Sequence, residues 1–152
     1  MNGPGKLDQV GIVVRDLDAA AEGMRAVFGA EPHTRVENTY RRTRYRGREI
    51  DASVGVMLYD VGGCELEFLA PRTTGNIWSD HLESTGEGLH HIRFAVDDHA
   101  AVREDLLARG VEPYQEGESM RGGGVRYAYY DTLAQLGFLI ETLNPGGDRV
   151  SD

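Results

Sequence analysis

The sequence predicts an α+β fold: two tandem βαβββ modules whose strands form one curved mixed sheet around a central cleft. Three observations predict it. A short strand pattern at residues 7–16 returns at residues 89–98, so that at a constant offset of 82 Leu7 falls on Leu89, Gln9 on His91, Ile12 on Phe94 and Asp16 on Asp98. Each copy runs into a helical pattern that stops at a glycine, Gly29 or Gly110. Both halves also close on a strand that carries a glutamate and ends in proline. These are Leu66-Glu67-Phe68-Leu69-Ala70-Pro71 and Ile140-Glu141-Thr142-Leu143-Asn144-Pro145, related by an offset of 74.

Alternation defines the opening strands. Val10, Ile12 and Val14 point one way and Gln9, Gly11 and Val13 the other; in the second copy Ile92, Phe94 and Val96 oppose His91, Arg93 and Ala95. One face suits packing on a helix, and the other, headed by a polar residue in each copy, suits the lining of a cavity. His90 falls on the face opposite His91 and reads as structural. After the first strand, Asp16 or Asp18 can cap a helix with Leu17, Ala20, Met24, Val27 and Phe28 at helical spacing.

Residues 31–50 are the least regular segment, with Arg35, Arg41, Arg42, Arg44, Arg46 and Arg48 among only 16 basic residues in the chain. The stretch reads either as a landing strip for an anionic ligand or as a solvated strand whose arginines answer acidic surface elsewhere. Residues 52–59 read as a buried strand, 60–63 as a turn and 64–69 as its partner, with Leu66 and Phe68 on one face and Glu65, Glu67 and Leu69 on the other. Glu65 has no counterpart in the second half and is left out of the candidate site.

Residues 72–88 form a linker with a short helix begun at Asn76, carrying Trp78 and Leu82 inward. In the second half Asp98 caps a helix with Val102, Leu106 and Leu107 inward. Residues 111–119 read as a linker or weak strand, Gly122 to Gly124 as a flexible turn, 125–130 as an aromatic strand and 138–143 as the closing strand. The expected organisation is a flexible tail at 1–6, a first module at 7–71, the linker at 72–88, a second module at 89–145 and a flexible tail at 146–152.

Composition excludes several classes of function. At 152 residues the chain suits one ordinary domain or two small modules sharing a sheet. Its net charge of -9 argues against a general nucleic-acid binder, which needs a basic face for phosphates. No apolar run approaches the ~18 residues of a membrane span. The start lacks the apolar core of a secretory signal, so a cytoplasmic location is expected. A single cysteine, Cys64, cannot form an internal disulfide, and as a turn residue without a nearby histidine it is no candidate nucleophile. The Gly122 to Gly124 turn is followed by no lysine with serine or threonine, so it is not a phosphate loop.

Four residues stand in matching places: Gln9 and His91 on the opening strands, Glu67 and Glu141 on the closing ones. If the two modules pair their sheets, an amide oxygen, an imidazole and two carboxylates converge as a plausible shell for Mn, Co, Ni or Zn, formally neutral with a divalent ion. The paired modules, with their repeated opening and closing motifs, resemble the vicinal oxygen chelate superfamily from Leu7 to Pro145. Within it, Gly86-Glu87-Gly88-Leu89-His90-His91-Ile92 resembles the methylmalonyl-CoA epimerase group, whereas the order Gln, Glu, His, Glu resembles glyoxalase I of eukaryotic type.

The resemblance implies that Gln9, Glu67, His91 and Glu141 hold one divalent metal ion. It further implies an epimerase or isomerase that transfers a proton α to a carbonyl through a metal-stabilised enolate. Glu141 is the first choice for the base and Glu67 for a second acid or base on the opposite face, with Glu49 and Asp51 as weaker candidates. Arg93 and Arg44 are the candidates for holding the substrate, an acyl-CoA or other anionic metabolite. A glyoxalase-type lyase and a metal-free drug-binding protein of bleomycin-resistance type are the alternatives, and the resemblance implies a homodimer. Extradiol dioxygenase chemistry wants two histidines and one carboxylate on iron, a set that Gln9 breaks.

Overall fold

A computed structural model describes residues 5–146. Most of the two expected tails, residues 1–4 and 147–152, lies outside the described residues; within them, Lys6 already belongs to the first strand and Gly146 donates its N–H to the Asn144 side chain.

The first half contains β1 (Lys6–Val13), α1 (Leu17–Phe28), β2 (Thr34–Tyr45), β3 (Arg48–Val61) and β4 (Cys64–Pro71). After α2 (Ile77–Thr85), the second half repeats the order as β5 (Gly88–Ala95), α3 (His99–Ala108), β6 (Pro113–Glu118), β7 (Arg126–Tyr130), the short α4 (Leu133–Leu136) and β8 (Leu139–Leu143). The caps follow from the sequence. The Asp16 carboxylate accepts from the N–H groups of Asp18 and Ala19, Gly29 ends α1 in the left-handed conformation, and Asp98 caps α3 through Ala101 N–H. Asn76 and Ser79 form a reciprocal capping box on α2.

The sheet closes into a barrel with strand order β1-β4-β3-β2-β6-β7-β8-β5. Within each half the first and last strands run parallel, β1 beside β4 and β5 beside β8, because a helix crosses between the first strand and the hairpin that follows. The halves join antiparallel at two seams, β1 with β5 and β2 with β6. The strands β4, β1, β5 and β8 are therefore consecutive neighbours, and these are the four that carry the expected site residues.

Alternation sorts the side chains as expected. Ile12, Val14, Leu66 and Phe68 pack outward against α1 with Leu17 and Met24, while Val13, Val54, Val56, Leu69, Leu139 and Leu143 gather in a separate core with Trp78 and Leu82 of α2. Full burial of such a side chain is worth roughly 1.5–3 kcal/mol, so the outward helices and the inward core both favour this one register.

The segment that looked irregular is the twelve-residue strand β2. It pairs along β3 but meets β6 at only two positions, Arg44 with Glu116 and Tyr45 with Gln115, so most of its residues stay in contact with water and carry no hydrophobic alternation. A register shift between Tyr40 and Thr43, with Arg42 at φ 53, breaks its period as well. The weak strand at 113–118 is a full barrel member as β6. No helix among the described residues is long and apolar enough to cross a membrane.

Candidate metal centre and cleft

Each of four adjacent strands supplies one of the expected donors: Glu67 from β4, Gln9 from β1, His91 from β5 and Glu141 from β8. The imidazole is their meeting point. His91 Nε2 lies 3.0 Å from Gln9 Oε1, 3.0 Å from Glu141 Oε2 and 3.5 Å from Glu67 Oε2. Gln9 and His91 are both fully enclosed, and Glu141 is 5% exposed.

Gly11 makes room for this meeting. It pairs with His91 across the β1–β5 seam, and a methyl group at its Cα would lie 1.9 Å from His91 Cε1. The imidazole therefore lies flat in a space that any side chain at position 11 would fill. Gln9 is oriented by a neighbour, since its Nε2 donates to Glu65 Oε1 at 2.6 Å and so turns Oε1 toward His91. The ring of Tyr129 stands against His91 with centroids 5.0 Å apart.

A β-bulge overturns the expected placement of His90. Gly11 pairs with His91 and Ile12 with Leu89, which leaves His90 as an extra residue on β5. The bulge turns His90 inward, fully buried, with its Nδ1 3.0 Å from His91 Nδ1 and its Nε2 3.4 Å from the Ile77 carbonyl oxygen. Strict alternation assigned it to the opposite face, and one extra residue reverses that.

These contacts constrain the protons. Burial holds the His90 imidazole well below its ordinary range and lowers His91 to about 3, with the charge of Arg93 adding to the effect, so both rings are neutral. The Ile77 carbonyl can only accept, which places the His90 proton on Nε2 and makes His90 Nδ1 an acceptor. His91 then donates from Nδ1. Its Nε2 lone pair consequently faces three oxygens, with no proton of its own to offer them. Glu141 Oε2 is buried without any hydrogen-bond partner.

The carboxylates respond to the same burial. Burial pushes Glu67 up to about 8, with the neighbouring charge of Glu141 adding to it, and pushes Glu141 up to about 7 against the opposing pull of Arg93. Two of the three contacts to Nε2 are 3.0 Å, a spacing at which these donors could share one ion. Among the described residues, histidine, cysteine and acidic side chains alone form no group of three or more arranged to hold a metal ion, so the fit depends on the Gln9 amide. With it, the donor types, the spacing and the orphaned Glu141 oxygen all suit a divalent cation.

Gln9, Glu67 and Glu141 line one wall of a cavity of about 250 Å³, whose other walls include Tyr40, Leu58 and Tyr127, while His91 is fully buried and does not line it. Arg93 is buried there on the same face as His91, but its guanidinium is already engaged, donating to Asp8 Oδ1 at 2.8 Å and lying 3.7 Å from Glu65 Oε1. Arg44 is exposed and absent from the cavity lining. Glu49 and Asp51 are exposed too, paired with Arg42 and Arg41 on the surface, and the structure does not bring them to the site.

Sequence reasoning passed over Glu65 and Asp8. Glu65 shares the face of Glu67, a signal set aside because it lacked a partner in the second half. Asp8 sits at a second bulge, between the Leu7–Phe94 and Gln9–Arg93 pairs, and alternation gives no sign of it.

An eight-stranded barrel of two βαβββ halves, with polar donors converging from four adjacent strands, defines the class of paired-module proteins whose chemistry sits between the halves. The chain belongs to the glyoxalase/bleomycin resistance protein/dioxygenase superfamily, whose sequence model matches residues 8–130. It is 31% identical over 119 residues to an ethylmalonyl-CoA/methylmalonyl-CoA epimerase of Cereibacter sphaeroides, covering 78% of this chain and 81% of that protein. Two variants of Streptomyces coelicolor methylmalonyl-CoA epimerase, both bound to 2-nitronate-propionyl-CoA, share its fold. One superposes with a TM-score of 0.69 at 23% identity, covering 97% of this chain and 98% of that one. The other gives 0.67 at 26%, covering 92% and 96%.

Proposed function

We propose that the protein is a divalent-metal-dependent epimerase that moves the proton α to the carbonyl of an acyl-CoA or a related anionic metabolite. One observation carries the reading: three oxygens converge on the unprotonated Nε2 of His91 in a buried cluster, and one of them, Glu141 Oε2, has no hydrogen-bond partner. Gln9, Glu67, His91 and Glu141 would hold the ion, with Mn, Co, Ni and Zn suited to this mix of nitrogen and oxygen donors. When bound, the ion supplies a Lewis acid for the substrate carbonyl oxygen.

The chain's own residues do the rest. Glu141 takes the α proton, and Glu67, reaching the centre from a strand on the other side of β1 and β5, serves the opposite face of the α carbon. Tyr40, Tyr127 and Tyr129 wall the cavity and keep water from the reacting carbon. The family relationship and the 31% identical epimerase support this assignment.

A glyoxalase-type lyase is the second reading, favoured by the Gln9 amide among the donors. A metal-free drug-binding protein is the third. Metal analysis of the purified protein and α-proton exchange of a methylmalonyl thioester in deuterium oxide separate them. The epimerase reading expects one divalent ion per chain and exchange; exchange only with a thiol adduct of methylglyoxal points to the lyase, and absence of metal to the binder. A homodimer and a cytoplasmic setting belong to the same reading, checked by light scattering and cell fractionation.

A further inference from the structure

Glu65, Glu67 and Glu141 line the cleft, and among the described residues its buried cation is Arg93, which Asp8 and Glu65 already occupy. An anionic substrate entering this space needs another positive group. Arg121 lines the same cavity, on the turn that joins β6 to β7. Among the described residues it makes no ion pair, and it lines the cavity together with Glu67 and Glu141.

The turn that carries Arg121 is a closed structure. Ser119 N–H donates to the Val125 carbonyl at 2.8 Å, Gly122 N–H to the Ser119 carbonyl at 2.9 Å, and Arg121 N–H to Ser119 Oγ at 3.3 Å. Gly122, Gly123 and Gly124 take φ values of 66, 65 and 76, so three successive left-handed residues bring the chain back at once into β7. Ser119, Met120 and Arg121 are thereby held at the cavity.

We propose that Arg121 is the specificity-determining residue that receives a carboxylate on the substrate's α carbon, restricting the site to acyl groups of the malonyl type. The inference rests on the epimerase reading and sharpens its substrate class. A planar guanidinium with free donors accepts a carboxylate in a two-pronged contact, which neither the engaged Arg93 nor the remote Arg44 can offer. An uncharged 2-methylacyl group gains nothing from this contact. Apart from the ion, the other charged side chains that line the cavity are acidic or, like Arg93, already paired.

The test compares wild type, R121Q and R121K, each loaded with metal, for binding of malonate and of propionate by calorimetry. The same variants are assayed for α-proton exchange in a 2-carboxyacyl thioester and in a 2-methylacyl thioester lacking the carboxylate. The expected result is that R121Q binds malonate at least tenfold more weakly while propionate stays within twofold, that R121K recovers part of the loss, and that KM rises only for the carboxylated thioester. Equal malonate binding in R121Q, equal weakening of malonate and propionate, or no malonate binding by wild type overturns the proposal. If malonate discrimination depends on Arg121 but no thioester exchanges, the proposal stands and the epimerase reading alone fails.

Discussion

His90 Nδ1 lies 3.0 Å from His91 Nδ1, a contact between neighbours in sequence that only the bulge in β5 allows. Consecutive residues on a regular strand point to opposite faces. Here both rings turn inward, and the second imidazole fixes the tautomer of the first. The hydrogen bond to the Ile77 carbonyl sets the His90 proton, His90 sets the His91 proton, and the free lone pair is left facing Gln9, Glu67 and Glu141.

Removing that support is expected to weaken the centre without removing a donor. His90→Phe keeps an aromatic ring among His81 and Tyr129 but deprives His91 Nδ1–H of its acceptor. Loss of an orienting partner of this kind typically costs about 10–100-fold in metal affinity. Calorimetric titration of the metal-free variant with Zn or Co measures it, and circular dichroism checks the fold. Wild-type affinity would mean that His91 is oriented by something else.

Gly11→Ala attacks the same ring from below. A methyl group placed 1.9 Å from His91 Cε1 cannot coexist with the present ring position, so the imidazole or the β1–β5 seam must move. Overpacking of this kind costs about 1–3 kcal/mol. The expected outcome is a lower midpoint in urea together with at least tenfold weaker metal binding. A stable variant with unchanged affinity would show that the ring has room to retreat.

The architecture was legible because two copies of one pattern check each other. Strand, capped helix and glycine stop at residues 7–29 predict the same run at 89–110, and the glutamates at 67 and 141 follow from the matched closing strands. The four converging residues came from this symmetry. What alternation could not supply were its interruptions: the bulges that admit Asp8 and His90, and the exposed, charged β2 whose regularity lies in its pairing with β3. The basic segment at 35–48 illustrates the limit. Its charge was evident, but the face presented by Arg44 depended on a register shift that composition does not reveal.

Stability of the metal-free protein should depend on pH in a defined direction. Glu67 and Glu141 retain protons in the fold up to about 8 and about 7, whereas in the unfolded chain they release them near ~4.3. The native state thus binds more protons than the unfolded state across that window, and stability falls as pH rises through it. His90 and His91 act oppositely below ~6.5, where the unfolded chain takes up protons that the buried rings refuse. The two effects offset one another between roughly pH 4.5 and 6.5, leaving a loss of at least about 1 kcal/mol from roughly pH 6.5 to 8. Urea denaturation after chelation measures it, and an added divalent ion should cancel the decline. A metal-free protein that gains stability over this interval would contradict the assignment.

Glu141→Gln separates the role of base from that of donor. An amide preserves the side chain's size and can still present an oxygen toward His91 Nε2, as Gln9 does from β1. It cannot take up a proton. Loss of a general base costs about 10²–10⁴ in rate, so α-proton exchange of the epimer that Glu141 serves is expected to fall by at least a hundredfold while metal content, measured in the same preparation, stays above half of one ion per chain. Glu67→Gln should silence the other face. If the two carboxylates serve opposite faces, this variant still exchanges the proton of one α-epimer at a rate within tenfold of wild type, yet interconverts the epimers at least a hundredfold more slowly. Equal loss of exchange for both epimers in Glu67→Gln would mean that a single carboxylate serves both faces, and full exchange in Glu141→Gln would remove Glu141 from the chemistry.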